Sequence, residues 1–114
     1  MRITQIDPVT TTNDLLLPYF RRAWALSKMS TELNKIGCLI VDRRAIVATG
    51  ISTKYAHAEI NALKQLPANE VPDEAAKYRM FLLGMSRGQI FEYEPCNDCL
   101  REIENYAVKN VYHT

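Results

Sequence analysis

The sequence predicts an α/β fold, a three-layer α/β/α sandwich around a mixed sheet of about four strands. Three observations predict it. Apolar residues recur at helical spacing in three segments, four short apolar runs rich in β-branched residues read as strands, and helices and strands alternate through the second half of the chain. The predicted order is α-β-β-α-β-α-β. Its first two strands form an antiparallel hairpin, and its later strands, separated by helices, favour parallel pairing. The 114 residues carry no internal repeat, low-complexity tract or Gly/Ser linker, so 1–114 reads as one domain.

The first twelve residues, with Pro8 and four threonines, read as irregular. Asn13 or Asp14 then offers a helix N-cap. From Leu15 to about Met29 the residues Leu16, Tyr19, Phe20, Ala23, Trp24 and Leu26 recur on one face, which places Trp24 in the core, with Arg21 and Arg22 outside. Pro18 falls in the first turn, where a missing N–H is tolerated. Ile36–Val41 and Ala45–Ala48 read as strands joined by a turn at Asp42-Arg43-Arg44, and 50–54 as a loop. His57 to Leu66 reads as a helix ended by Pro67, and the acidic 68–77 as a surface connection. Arg79–Met85 reads as a buried strand, Ser86-Arg87-Gly88 as a turn, and Gln89–Tyr93 as a segment that pairs back or leads onward. Pro95 is expected at the first position of a helix that runs to about Ala107, and Val108–Tyr112 as the last strand.

Composition excludes some classes of function. At 47% hydrophobic and 24% charged residues the chain reads as a soluble globular domain. No apolar run approaches the ~20 residues of a spanning helix, and the N-terminus lacks the apolar stretch of a signal peptide. The expectation is a cytoplasmic protein with no membrane partner. A net charge of +1 gives no overall pull toward nucleic acid. The charge is uneven, with eight Lys+Arg against four Asp+Glu through Lys54 and six against nine beyond it, which reads as solvated faces. Three cysteines cannot all pair with one another, and two of them form Cys96-x-x-Cys99, a metal or redox spacing in a reducing compartment.

The chemistry concentrates in His57-Ala58-Glu59 and Pro95-Cys96-Asn97-Asp98-Cys99. One imidazole and two thiols are ligands that zinc favours, and a catalytic zinc keeps a fourth position for water. Cysteines three residues apart at a helix start put both sulphurs on one side of its first turn, where the helix end favours thiolates. Glu59 is left over as a carboxylate beside the metal, placed to take a proton from the water and deliver it to the substrate. A structural zinc would need a fourth protein ligand, Cys38 or His113. Cys38 sits within an apolar strand and reads as core, and His113 reads as an exposed tail. Two alternatives outside catalysis stay open: a zinc-stabilised binding module, and redox chemistry by Cys96 and Cys99.

His-x-Glu followed by Pro-Cys-x-x-Cys is the known signature of zinc base deaminases. On these motifs the chain resembles the cytidine and deoxycytidylate deaminase superfamily, whose members include tRNA adenosine deaminases and polynucleotide cytosine deaminases. The resemblance extends to Lys35–Val41 and Ile46–Gly50 as its first two strands and to Val108–Tyr112 as its fourth. It implies a cytidine-deaminase-like fold with zinc (Zn2+) on His57, Cys96 and Cys99, and Glu59 as proton shuttle. It also implies that the Ala58 N–H meets the base carbonyl and that the Glu94 carbonyl meets the exocyclic amine. The chain departs from the pattern in three places. Where many nucleotide-acting members carry an asparagine, it reads Gly50-Ile51-Ser52-Thr53, so Ser52 or Thr53 would take that contact. The loop from Gly50 to His57 is short. The sheet is expected to stop at its fourth strand, without the last helix and fifth strand.

The expected reaction is hydrolysis of a cytosine base to uracil and ammonia, on a free nucleotide or nucleoside with dCMP first. Lys54 would meet the phosphate, and Tyr55, Phe91 and Tyr93 are candidates for stacking or for packing. A polynucleotide substrate is possible but not favoured, because it needs a basic groove and Arg21-Arg22 and Arg43-Arg44 are the only basic doublets. The small size points to a homo-oligomer, in which a second subunit covers apolar helix surface.

Overall fold

Alternation along two long strands builds the layers. In the computed structural model, which describes residues 1–67 and 76–114, β2 (Asn34–Asp42) and β4 (Tyr78–Ser86) lie antiparallel at the centre of the sheet. Cys38, Ile40, Met80 and Leu82 point to one face, Leu39, Val41, Phe81 and Leu83 to the other, and all eight are buried. Strands buried on both faces need a helical layer on each side. α1 (Leu17–Ser27) covers one face with Leu16, Phe20 and Ala23, while α2 (Ala58–Leu63) and α3 (Asn97–Glu104) cover the other with Ala58, Ala62, Leu63 and Ile103.

The sheet has six strands rather than about four. β1 (Arg2–Gln5), β3 (Ala45–Ile51), β5 (Gln89–Phe91) and β6 (Val108–His113) complete it in the order β1-β6-β4-β2-β3, with β5 paired to β4. The predicted relations hold: β2 and β3 form an antiparallel hairpin, and β4 and β6 run parallel. Two elements are additions. β1 lies in the segment expected to be irregular and pairs parallel with β6, so the sheet continues past its predicted end with chain from the N-terminal side. It is a four-residue edge strand, mostly exposed, and too short and polar to show period-two patterning. β5 pairs back on β4 through a two-residue turn, Arg87-Gly88, with φ of 52° and 77°. Two left-handed residues match the twist of a tight hairpin.

Other differences are local. α1 begins later than expected because Asn13 caps the preceding turn, accepting from Leu15 N–H at 3.1 Å. α2 and α3 each end sooner, their last turns tightening into i→i+3 bonds such as Leu66 N–H to Leu63 O at 3.0 Å. Pro95 lies outside α3, with Cys96 as the N-cap. Trp24, expected in the core, is 43% exposed beneath the Lys28 ammonium, because α1 buries only the side that carries Phe20, Ala23 and Ser27. His113, expected in an exposed tail, is buried at the end of β6 by pairing with both β1 and β4. The connection expected at 68–77 falls largely outside the described residues. Among the described residues no helix is long and apolar enough to cross a membrane.

Candidate metal centre and active site

Two helix starts make the site. His57 is the N-cap of α2 (φ −70°, ψ 157°) and Cys96 is the N-cap of α3 (φ −68°, ψ 166°). An N-cap side chain ordinarily accepts from the free N–H groups of its own helix. Neither does so here, which leaves the imidazole and the thiol to face each other. Cys99 lies in the first turn of α3, so its sulphur falls on the same side as that of Cys96. Gly50 permits the approach of α2 to β3. A Cβ there would stand 2.2 Å from the Ala58 carbonyl oxygen and 2.7 Å from the Ala62 nitrogen. The Asn61 and Gln65 amides fasten α2 to β3 through Ile51 O at 2.9 Å and Thr49 O at 2.6 Å.

His57 Nδ1 lies 3.1 Å from Cys99 Sγ and 3.9 Å from Cys96 Sγ, and the three atoms fall within 4.8 Å of one another. Zinc bonds of about 2.0–2.3 Å in a tetrahedral site put neighbouring ligand atoms roughly 3.5 Å apart. The spacing and the donor set therefore fit that metal. The predicted trio is brought together, while Cys38 is fully buried in β2 as the core residue expected.

Glu59, in the first turn of α2, is completely buried. The Tyr93 hydroxyl reaches both of its carboxylate oxygens, at 3.0 and 2.8 Å. Burial pushes the Cys99 thiol above its ordinary range, and the Glu59 carboxylate and Cys96 push it further. Burial and then Glu59 also raise the Tyr93 phenol and the Cys38 thiol. A thiol held protonated in this way, as that of Cys99 is, becomes a ligand when a divalent cation supplies the opposing charge.

A cavity of about 420 Å³ opens beside His57, walled by Ser52, Thr53, Phe91 and Tyr93, with Glu32, Leu33, Asn34 and Ile36 on the remaining side. Of the predicted contact residues, Ser52 and Thr53 reach this wall with their hydroxyls already engaged. Ser52 Oγ accepts from Ile36 N–H at 2.9 Å and meets Ser30 Oγ at 2.9 Å, and Thr53 Oγ1 accepts from Ala56 N–H at 3.2 Å. Ala58 is buried at the first position of α2, and Glu94 is exposed just before Pro95. Lys54 lies off the wall, with its ammonium 5.0 Å from the centre of the Tyr55 ring, and that ring is 85% exposed. Phe91 and Tyr93 line the cavity and meet edge to face at 6.3 Å.

The sequence reading missed two things. Asn34 and Leu33 reach the wall because β2 begins there, and nothing in their spacing signals it. Tyr93 reads from sequence as a stacking or packing residue, and its hydroxyl contact with Glu59 joins residues 34 apart and has no local signature. The basic doublets do not converge on the site. Arg43 joins Lys77, Arg79 and Lys109 around a depression beside the β2–β3 turn, at the end of the sheet away from His57, and Arg21 lines a groove with Trp24.

Comparisons with known proteins agree with this geometry. The dCMP deaminase of cyanophage S-TIM5 superposes with a TM-score of 0.63 at 21% identity, over 90% of this chain and 84% of its own. The structure of that enzyme in complex with dCMP and dUMP gives 0.61 at 20% identity, over 90% and 82%. RibD of Acinetobacter baumannii gives 0.56 at 19% identity, over 82% of this chain and 26% of the RibD chain. At these identities the likeness establishes the fold alone. A comparison with curated protein sequences gives no match. Residues 16–114, which include both metal motifs, match the cytidine and deoxycytidylate deaminase zinc-binding region, and the chain belongs to that family.

Proposed function

We propose that the protein is a zinc-dependent hydrolytic deaminase that converts a cytosine base to uracil and ammonia, on a free nucleotide or nucleoside with dCMP as first candidate. The observation that carries this reading is the fully buried Glu59 carboxylate packed against the His57–Cys96–Cys99 cluster. A purely structural metal site has no use for a buried acid beside its ligands, because taking a carboxylate out of water is costly.

Zinc held by His57 Nδ1 and the two sulphurs would supply Lewis acidity and bring the pKa of water to near 7. The chain's own residues do the rest. Glu59 accepts the proton of the attacking water and passes it to the ring nitrogen as the new C–O bond forms at the amino-bearing carbon. It then carries the second proton to the departing amine as the C–N bond breaks, so one water and one cytosine give one uracil and one ammonia. Cys96 and Cys99, fixed at the start of α3, would hold the metal beside His57, which lines the cavity.

A small substrate is supported by the cavity, whose volume of about 420 Å³ lies in the range of small-molecule sites. The S-TIM5 neighbour was solved with dCMP and dUMP, which supports a pyrimidine nucleotide. The cavity wall, however, carries Glu32 and, among the described residues, no lysine or arginine. A 5′-phosphate would therefore leave the cavity toward solvent or a second subunit. The reading places the enzyme in a reducing compartment such as the cytoplasm, where the thiols stay available, and as a homo-oligomer.

The test is an ammonia-release screen on zinc-loaded protein. It covers cytosine, cytidine, deoxycytidine, their mono- and triphosphates, guanine and a single-stranded oligonucleotide, with Glu59→Ala as control. Release from a free cytosine compound, lost in the control, is expected. Release only from the oligonucleotide would move the substrate to polynucleotides. No release from any compound would leave a non-catalytic zinc module, and an active Glu59→Ala protein would overturn Glu59 as the group that moves the proton.

A further inference from the structure

We infer that Tyr93 is a positioning residue for Glu59, an inference that rests on the deaminase reading. Its hydroxyl holds the carboxylate in the orientation from which the proton is moved.

The geometry is specific. Glu59 is completely buried, and the Tyr93 hydroxyl stands 3.0 and 2.8 Å from its two oxygens, bridging the carboxylate at one edge. A single hydroxyl proton shared between both oxygens fixes the plane of the group and leaves its other lone pairs free. The bond to an ionised acceptor is among the stronger kinds. Without it the carboxylate can rotate about its last torsion, which is a soft one.

Tyr93 is itself held in place. Gly84 on β4 lies against the Phe91 ring and the root of the Tyr93 side chain, and a Cβ at that position would come within 2.8 Å of the Phe91 ring and 2.9 Å of Tyr93 Cβ. Phe91 is anchored in turn by Thr114. The Thr114 hydroxyl donates to Phe91 O at 2.8 Å and accepts from Gly84 N–H at 3.1 Å, while Thr114 N–H donates to Leu82 O at 3.1 Å. One buried threonine thus ties the end of β6, the middle of β4 and the segment that carries Tyr93. This is the supporting shell that a precisely oriented acid–base group needs.

The experiment compares Tyr93→Phe, which removes only the hydroxyl, with wild type. It measures kcat and KM separately, zinc per chain by elemental analysis, and the denaturation midpoint of the metal-free protein. Expected for Tyr93→Phe are a kcat lower by roughly 10- to 100-fold, a KM within about threefold, and one zinc per chain. Gly84→Ala, whose added Cβ would push on the Phe91 ring and on Tyr93 Cβ without removing the hydroxyl, should lower kcat in the same direction. In the metal-free protein the denaturation shifts of Tyr93→Phe and Glu59→Ala should be non-additive, because either change removes the same bond. An unchanged kcat in an active Tyr93→Phe enzyme would overturn the inference, and so would additive shifts or loss of zinc from that variant. Wild type inactive on every substrate would instead sink the deaminase reading, and the denaturation cycle would still decide the contact.

Discussion

The two faces of the central sheet are built from the same strands and put to different uses. Toward α1 the side chains form an apolar layer with an aromatic cluster, in which Phe81 touches Phe20 edge-on at 5.5 Å and lies against Tyr19 and Tyr112 at 4.8 and 5.1 Å. Toward α2 and α3 the neighbouring residues of β2 and β4 underlie a buried carboxylate, a tyrosine hydroxyl and the thiols of Cys38 and Cys99. The first face maximises burial of apolar surface, which stabilises folding. The second gives up part of that stabilisation to hold polar groups out of water. Stability and chemistry are thus divided across a single layer of backbone about one strand thick.

This division can be broken most severely at the ligands. Cys99→Ala should abolish stoichiometric zinc and turnover together, since metal binding to such a site is coupled to folding, with apparent energies of order 10 kcal/mol in small zinc domains. Elemental analysis with a turnover assay checks it, and full zinc occupancy in the variant would remove Cys99 from the ligand set. Glu59→Gln is the next largest. It should keep zinc and lower kcat by about 10²- to 10⁴-fold, the usual weight of a general acid–base. Because the amide is neutral, the variant should melt no lower than wild type, and a clear loss of stability would mean that the charge is part of the fold.

The two faces also differed in how far the sequence revealed them. The apolar layers were legible because Cys38 to Val41 and Met80 to Leu83 are continuous apolar runs between turn signals, and the helices show helical spacing. That His57, Cys96 and Cys99 come together, with Glu59 beside them, was legible because the two motifs carry their own spacing at two helix starts. What was not legible depends on tertiary pairing. β1 is a strand because β6 offers an edge to it, and His113 is buried for the same reason. Trp24 lies next to Ala23 in the helical pattern but off the side that α1 turns to the sheet, and that rotation is a property of the assembled layers. Tyr93 and Glu59 are brought together only once β5 has folded back onto β4.

On the α1 face, Phe81→Ala should cost about 3–5 kcal/mol, the range for emptying a fully buried aromatic site. Denaturant unfolding checks the magnitude. Zinc binding measured under conditions where the variant remains folded should be unchanged, since Phe81 points away from α2 and α3. Weakened zinc binding by the folded variant would show that the faces are coupled through the backbone of β4 rather than independent.

The smallest effect separates the faces by pH. Burial raises the Cys38 and Cys99 thiols and the Tyr93 phenol, all on the α2/α3 side, and Glu59 adds to each shift. A group whose folded pKa lies above its unfolded value stabilises the fold below the unfolded pKa, and that contribution is lost as pH rises toward the folded one. The metal-free protein should therefore lose stability as pH climbs past about 8.5 for the thiols and about 10 for the phenol. Zinc binding runs in the opposite direction. The metal must displace the proton from the raised Cys99 thiol, so affinity should increase with pH by up to about 1.4 kcal/mol per unit for each proton released. Melting curves of the metal-free protein across the alkaline range, and calorimetric zinc titrations in buffers of different ionisation enthalpy, measure the two trends. Zinc affinity that is flat between about pH 6 and 8 would mean that the sulphurs are already thiolates in the metal-free site. In that case burial and Glu59 would not govern them, and the contrast between the two faces would rest on packing alone.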